Sequence, residues 1–228
     1  MQNEKQQLAL IVGAGSGLSG SLARQCAAAG MRVVLAARNT AKLKSFAGAE
    51  LHACDAADPA QVAKLFAAID APDLVVYNPS YRARGPFISL DPQEVHKTLM
   101  VTAYGGFLVA QAAAKRMLER GRGSLFFTGA SASVKGYAES APFAMGKFAL
   151  RGLAQSLARE LGPKGIHVAH FIIDGGILRA GSDARAAERG EDGMLLPDAI
   201  AQTYLDVHRQ HRSAWSFEVD LRPWKERF

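Results

Sequence analysis

Lys147 is the residue in this chain whose setting asks for a chemical explanation. It lies in "SAPFAMGKFALRGLAQSLAREL" (140–161), an alanine- and leucine-rich stretch that reads as a buried helix, four residues after Phe143. Residues four apart share a helix face, so the ammonium and the phenyl ring point the same way. An ammonium in such a place can lower the pKa of a neighbouring acid, yet phenylalanine has no proton to give. Arg151, Gln155 and Arg159 extend the row at i, i+4 intervals, so the lysine also reads as one end of a solvated stripe. A second chemical feature is the turn "VGAGSGLSG" (12–20). Glycines between a strand and a helix let the backbone approach a pyrophosphate, which then sits on the amides and positive dipole end of the helix. Gly13, Gly15, Ser16, Gly17 and Leu18 are the candidate contacts there.

Two registers fit that turn. Gly15-x-Gly17-x-x-Gly20 has the dinucleotide spacing but starts two residues after the strand ends, whereas Gly13-x-x-x-Gly17-x-Ser19 starts directly after it and is preferred. The following strand ends "LAARN". A carboxylate at that point binds the ribose hydroxyls of a non-phosphorylated nicotinamide cofactor. Here Ala37 holds the place and Arg38 follows, a fork that pairs with a 2′-phosphate and favours NADP(H) over NAD(H). A solvated arginine at a strand end is the other reading.

The elements that must position these residues alternate along the whole chain. "LALIV" (8–12), "MRVVLAA" (31–37), "ELHAC" (50–54), "DLVVY" (73–77), "GSLFFTG" (123–129), "GIHVAHFII" (165–173) and "AWSFEVDL" (214–221) read as strands. Helices are expected after the glycine turn, from about Asn39, from Asp58-Pro59 as N-cap and first position, over about 92–119, over 141–161 and around 197–209. Strands separated by helices predict a parallel, doubly wound α/β sheet with helices on both faces, in one domain spanning 1–228. The stretch "RAGSDARAAERGEDG" (179–193) follows the sixth strand at the carboxyl end of the sheet, and reads either as a substrate lid or as a solvated surface helix.

In this order and at these spacings, over roughly residues 8–177, the chain resembles the short-chain dehydrogenase/reductases. Gly13-x-x-x-Gly17-x-Ser19 is similar to their G-x-x-x-G-x-G turn, departing at the last glycine. Asp55 in "CDAAD" matches their aspartate that contacts the adenine, and Asn78 in "YNPS" is what remains of their N-N-A-G turn. "DGGI" (174–177) takes the place of P-G-x-V, so Gly175 and Ile177 are implied to hold the carboxamide. The family's catalytic set is Asn, Ser, Tyr and Lys. The resemblance puts Thr102 at the asparagine, Ala130 at the serine and Phe143 at the tyrosine, with Lys147 alone retained. Ser131 and Ser133 lie next to the missing serine, and Tyr81, Tyr104 and Tyr137 are the tyrosines that could replace the lost acid.

The resemblance implies a seven-stranded Rossmann sheet of order 3-2-1-4-5-6-7. It also implies a divergent NADP(H)-dependent oxidoreductase acting on a small carbonyl, alcohol or enone, with Lys147 on the nicotinamide ribose. The alternative is a cofactor-binding sensor or supporting subunit without turnover. The alanine- and leucine-rich helices at 92–119 and 141–161 correspond to those that pair across a two-fold axis in the family, which implies a homodimer or homotetramer. Trp215 and Trp224 would form a second contact or close the domain's own core.

Composition narrows the partners. The net charge is +6 in 228 residues, but lysines and arginines are dispersed without a basic tract, which argues against nucleic acid. No apolar run approaches the roughly 18 residues needed to cross a bilayer, and "MQNEKQQLALIV" has no basic-then-apolar leader. Cys26 and Cys54 lack metal-ligand spacing and are too few for a disulfide framework, so a reducing, cytoplasmic setting and no metal site are expected.

Overall fold

Strands covered on both faces show no polar alternation, and two segments of this chain are apolar without interruption. They form β1 (Leu8–Val12) and β4 (Leu74–Tyr77), and with β6 (Ile166–Ile173), apolar but for His167 and His170, each is buried along its whole length. With β2 (Arg32–Ala37), β3 (Glu50–Ala53), β5 (Gly123–Thr128) and β7 (Glu218–Leu221) they make a single all-parallel sheet of order 3-2-1-4-5-6-7, as expected. The computed structural model describes residues 6–43, 46, 48–179 and 183–226.

Helices α1 (Leu18–Ala28) and α7 (Pro197–His208) cover one face. Helices α2 (Pro59–Ala68), α4 (Gly105–Arg120) and α5 (Ala141–Leu161) cover the other. The N-terminus of α2 is built as its sequence demands: Asp58 accepts from the Ala60 and Gln61 amides, and Pro59 takes the first position. Among the described residues, none of the helices is long and apolar enough to cross a membrane.

Four local expectations are corrected. The helix from about Asn39 is only a 3-10 turn, Ala41–Leu43, started by the Asn39 side chain accepting from the Ala41 amide; residues 44, 45 and 47 lie outside the described residues. The helix over 92–119 is three pieces: α3 (Pro92–Leu99), a π-helical turn (Met100–Tyr104) and α4. At the chain's end, β7 starts only at Glu218, because Arg212–Ala214 forms a 3-10 turn capped by the His211 side chain. The two tryptophans also part company. Trp215 stacks flat on His167, ring centroids 4.7 Å apart, and closes the domain's own core, whereas Trp224 is exposed.

Candidate active site

Every strand of a parallel sheet ends on the same side, so the turns after β1, β2, β4, β5 and β6 converge at one edge. Gly13 leaves β1 with φ +79°, and its amide donates to the Ala36 carbonyl, 2.9 Å away. A Cβ there would lie 2.6 Å from the Pro79 backbone nitrogen, so the turns after β1 and β4 touch at a point only glycine allows. Gly20 does similar work on the other register, because a Cβ would press on the Phe46 ring at 2.9 Å. Ser19, where the turn departs from glycine, is buried and used: its hydroxyl donates to the Gly13 carbonyl at 3.2 Å and accepts from the Asn78 side-chain amide at 2.7 Å.

The face of the turn toward the sheet edge is left open. A Cβ on Gly15 or Gly17 would meet nothing within 4 Å, and the first turn of α1, which begins at Leu18 beyond Ser16 and Gly17, carries no capping side chain. The Gly20 amide donates to the Gly17 carbonyl, and the amides from Gly15 to Leu18 remain open to an anion. Arg38, at the end of β2, is exposed and makes no ion pair or hydrogen bond among the described residues. Asp55 accepts from the Ala57 amide, which fixes the turn after β3. Gly175, at φ +150°, passes so close to Pro223 that a Cβ would lie 2.7 Å from it, and Ile177 bridges to Leu195. An open glycine turn, an uncapped helix and an unpaired arginine fit the pyrophosphate and ribose end of a nicotinamide dinucleotide.

The four positions assigned to the chemistry are brought together. Thr102 sits fully buried in the π-helical turn, against Gly146 of α5, where a Cβ would meet its side chain at 3.0 Å. Ala130, Ala132 and Phe143 form a small buried cluster. The Ala130 amide donates to the Ser133 hydroxyl at 3.1 Å, so Ser133 turns inward. The Lys147 ammonium lies 5.9 Å from the Phe143 ring centroid and donates to the Thr128 carbonyl at 2.6 Å. The solvated-stripe reading fails for this residue: Lys147 is 2% exposed, while Arg159 is exposed and Arg151 forms a two-point ion pair with Glu218. Burial pushes the lysine down to about 7, and the neighbouring Arg82 guanidinium adds to the effect.

Comparison with known proteins agrees with this fold. The family described as short chain dehydrogenase matches residues 7–187. The chain belongs to the short-chain dehydrogenase/reductase family. The D-threitol dehydrogenase of Mycolicibacterium smegmatis is 30% identical over 174 residues, covering 71% of this chain and 67% of that protein. The structure of a short-chain dehydrogenase from Rhodopseudomonas palustris superposes with a TM-score of 0.81 at 31% identity, covering 96% of this chain and 100% of the other. A metagenomic short-chain oxidoreductase in complex with NADP gives a TM-score of 0.81 at 28% identity over 95% and 97%. The relatives are oxidoreductases.

In this short-chain dehydrogenase/reductase the lysine has a phenyl ring and an arginine for neighbours. None of the three replacement tyrosines stands free beside it. Tyr81 donates its hydroxyl to Glu94 at 2.5 Å and lies under Lys97, Tyr104 stacks on Phe107 at the surface, and Tyr137 is 46% exposed against Lys135. Two groups escaped the sequence reading. Arg82 lies over the Phe143 ring, its guanidinium carbon 4.1 Å from the centroid. His170 is fully buried under Gly129, with Nδ1 3.1 Å from Glu218, and burial pushes it down to about 4, so it is neutral and donates to that carboxylate. A sequence signal existed for the histidine, one of two polar residues in the otherwise apolar "GIHVAHFII".

Proposed function

We propose that this protein is an NADP(H)-dependent oxidoreductase that interconverts a small carbonyl compound and its alcohol, or reduces an enone. The observation that carries the reading is Lys147, held in the interior with only a backbone carbonyl as partner. A buried ammonium costs stability, and such groups cluster where chemistry needs them. The bound cofactor supplies or accepts the hydride. Lys147 holds the nicotinamide ribose, Arg38 the 2′-phosphate, and the open amides from Gly15 to Leu18 the pyrophosphate. Asp55 faces the adenine, while Gly175 and Ile177 hold the carboxamide. Phe143 and Ala130 offer no proton, so the substrate oxygen exchanges its proton with solvent, and the rate rests on positioning, worth about 7–11 kcal/mol of barrier, rather than on a general acid.

Substrate enters beside 179–193, a lid that includes α6 (Ala184–Arg189); residues 180–182 lie outside the described residues. Arg185 of α6 bonds both Asp183 and the Ile177 carbonyl, which ties the lid to the carboxamide turn. The protein works in the cytoplasm as a homodimer or homotetramer, the contact built on α4 and α5, whose Phe107, Met145 and Phe148 are 41%, 50% and 44% exposed. Light scattering at micromolar concentration checks this, and a stable monomer refutes it. The test of function is NADPH absorbance followed over a panel of carbonyls, enones and alcohols. Turnover above the protein-free rate is the expected result. Tight NADPH binding with no turnover anywhere in the panel would instead leave a cofactor-binding subunit.

A further inference from the structure

Arg82 stands beside Phe143, exposed to solvent, with no acidic partner among the described residues. Among those residues no carboxylate, carbonyl or hydroxyl accepts a hydrogen bond from its guanidinium, which lies over the Phe143 ring. Its neighbours are cationic as well. Arg84 lies close enough to oppose its charge, Lys147 is on the far side, and neither has an acidic partner. The carboxylates that follow along the chain are engaged elsewhere, Asp91 by the Gln93 amide and Glu94 by Tyr81 and Lys97. Among the described residues, three basic side chains thus lie near one another without an acidic partner.

The arginine is also held in place. On one side Tyr81 is locked by Glu94, and its amide donates to Thr102 at 3.5 Å. On the other, the Gly85 amide donates to the carbonyl of Glu139, a residue in the left-handed region at φ 57° just before α5. The loop after β4 is thereby fastened to the start of the helix that carries Phe143, and the guanidinium carbon sits 4.1 Å over the ring centroid. A stacked guanidinium keeps its edge free, and that edge presents paired N–H groups that match a planar carboxylate in a two-point contact.

We propose that Arg82, stacked on Phe143, is the anchor for a carboxylate group on the substrate, so that the protein acts on small oxo- or hydroxy-acids. The proposal rests on the oxidoreductase reading above. It gives Phe143 a positive role, since an unsubstituted ring is the platform on which the guanidinium lies, and it sets the substrate's anionic end beside Lys147.

The test is calorimetric titration of pyruvate, acetoacetate and levulinate against their methyl esters, with and without saturating NADP⁺, on the native protein and on Arg82→Gln and Arg82→Lys. At least one acid should bind about tenfold or more tightly than its ester. Arg82→Gln should bring that acid down to its ester while leaving NADPH affinity within about twofold, and Arg82→Lys should keep part of the preference. A purely structural stacking role would shift the melting temperature of Arg82→Gln without touching the difference between acid and ester. Equal affinity of every acid and ester, a preference that survives Arg82→Gln, or no acid binding more tightly than about 10 mM would each overturn the proposal. Absence of NADPH binding would overturn the oxidoreductase reading instead, and the cofactor-free titrations would still decide the anchor.

Discussion

Replacing Lys147 with methionine should stabilise the fold and end turnover, and the stabilisation should depend on pH. The lysine's ammonium is pushed from 10.5 in water to about 7 by burial. Between those values the unfolded chain holds a proton that the folded chain has released, so stability rises with pH across the window. Below about pH 7 both states are charged, and the whole cost of burying the ammonium is present. At about 1.4 kcal/mol per pH unit, that cost is at most about 5 kcal/mol. Methionine removes it but leaves the Thr128 carbonyl without its donor, a loss of about 1–3 kcal/mol. A net gain near 2 kcal/mol follows, or a Tm raised by roughly 4–8 °C at about pH 6 for a domain of this size. The gain should shrink as pH climbs and vanish or change sign near pH 10. Paired thermal melts from about pH 6 to pH 10, with NADPH turnover measured on the same samples, check this. A variant that melts lower than the native protein at about pH 6, or a difference that does not change with pH, would refute the reasoning.

Arg38→Ala should remove most of a tenfold to hundredfold preference for NADPH over NADH, the range expected of about 1.5–3 kcal/mol in charge-assisted hydrogen bonds; fluorescence titration of both cofactors measures it, and a preference kept by the variant contradicts the assignment. Phe143→Tyr alone should change carbonyl reduction little, because Ala130 still offers no group to orient an oxygen. Adding Ala130→Ser should raise kcat by up to about 10²–10⁴, more than the product of the single effects; a native protein already fast, and slowed by Phe143→Tyr, would show that the proton comes from elsewhere.

The sheet order was legible because apolar runs at crossover spacing permit few topologies, and right-handed connections remove most of those. The stretch after β2 was not, since "NTAKLKSFAGAE" carries a start signal in Asn39 without an apolar face long enough to use it. Lys147 could be assigned a place but not an environment. Its i, i+4 row looks uniform in sequence, yet the lysine is enclosed beside the end of β5, where it reaches the Thr128 carbonyl, while Arg159 reaches solvent. Arg82 had no signal at all. It is one of two arginines in an irregular loop, and only the fastening of that loop at Thr102 and Glu139 puts it on Phe143.

The hydroxyl of Ser19 joins the Gly13 carbonyl to the Asn78 amide, and this changes what placing a glycine there would mean. Counted position by position, the serine after β1 is one departure from the family and the retained asparagine after β4 is one agreement. Physically they are a single trait with two addresses. Placing glycine at 19 would strip the partly buried Asn78 amide of its acceptor, at about 1 kcal/mol, and loosen the turn that Asn78 belongs to. The two positions are therefore coupled, and a change at one is felt at the other. Grafting consensus residues into this chain one at a time would then make it a worse member of its family before making it a better one.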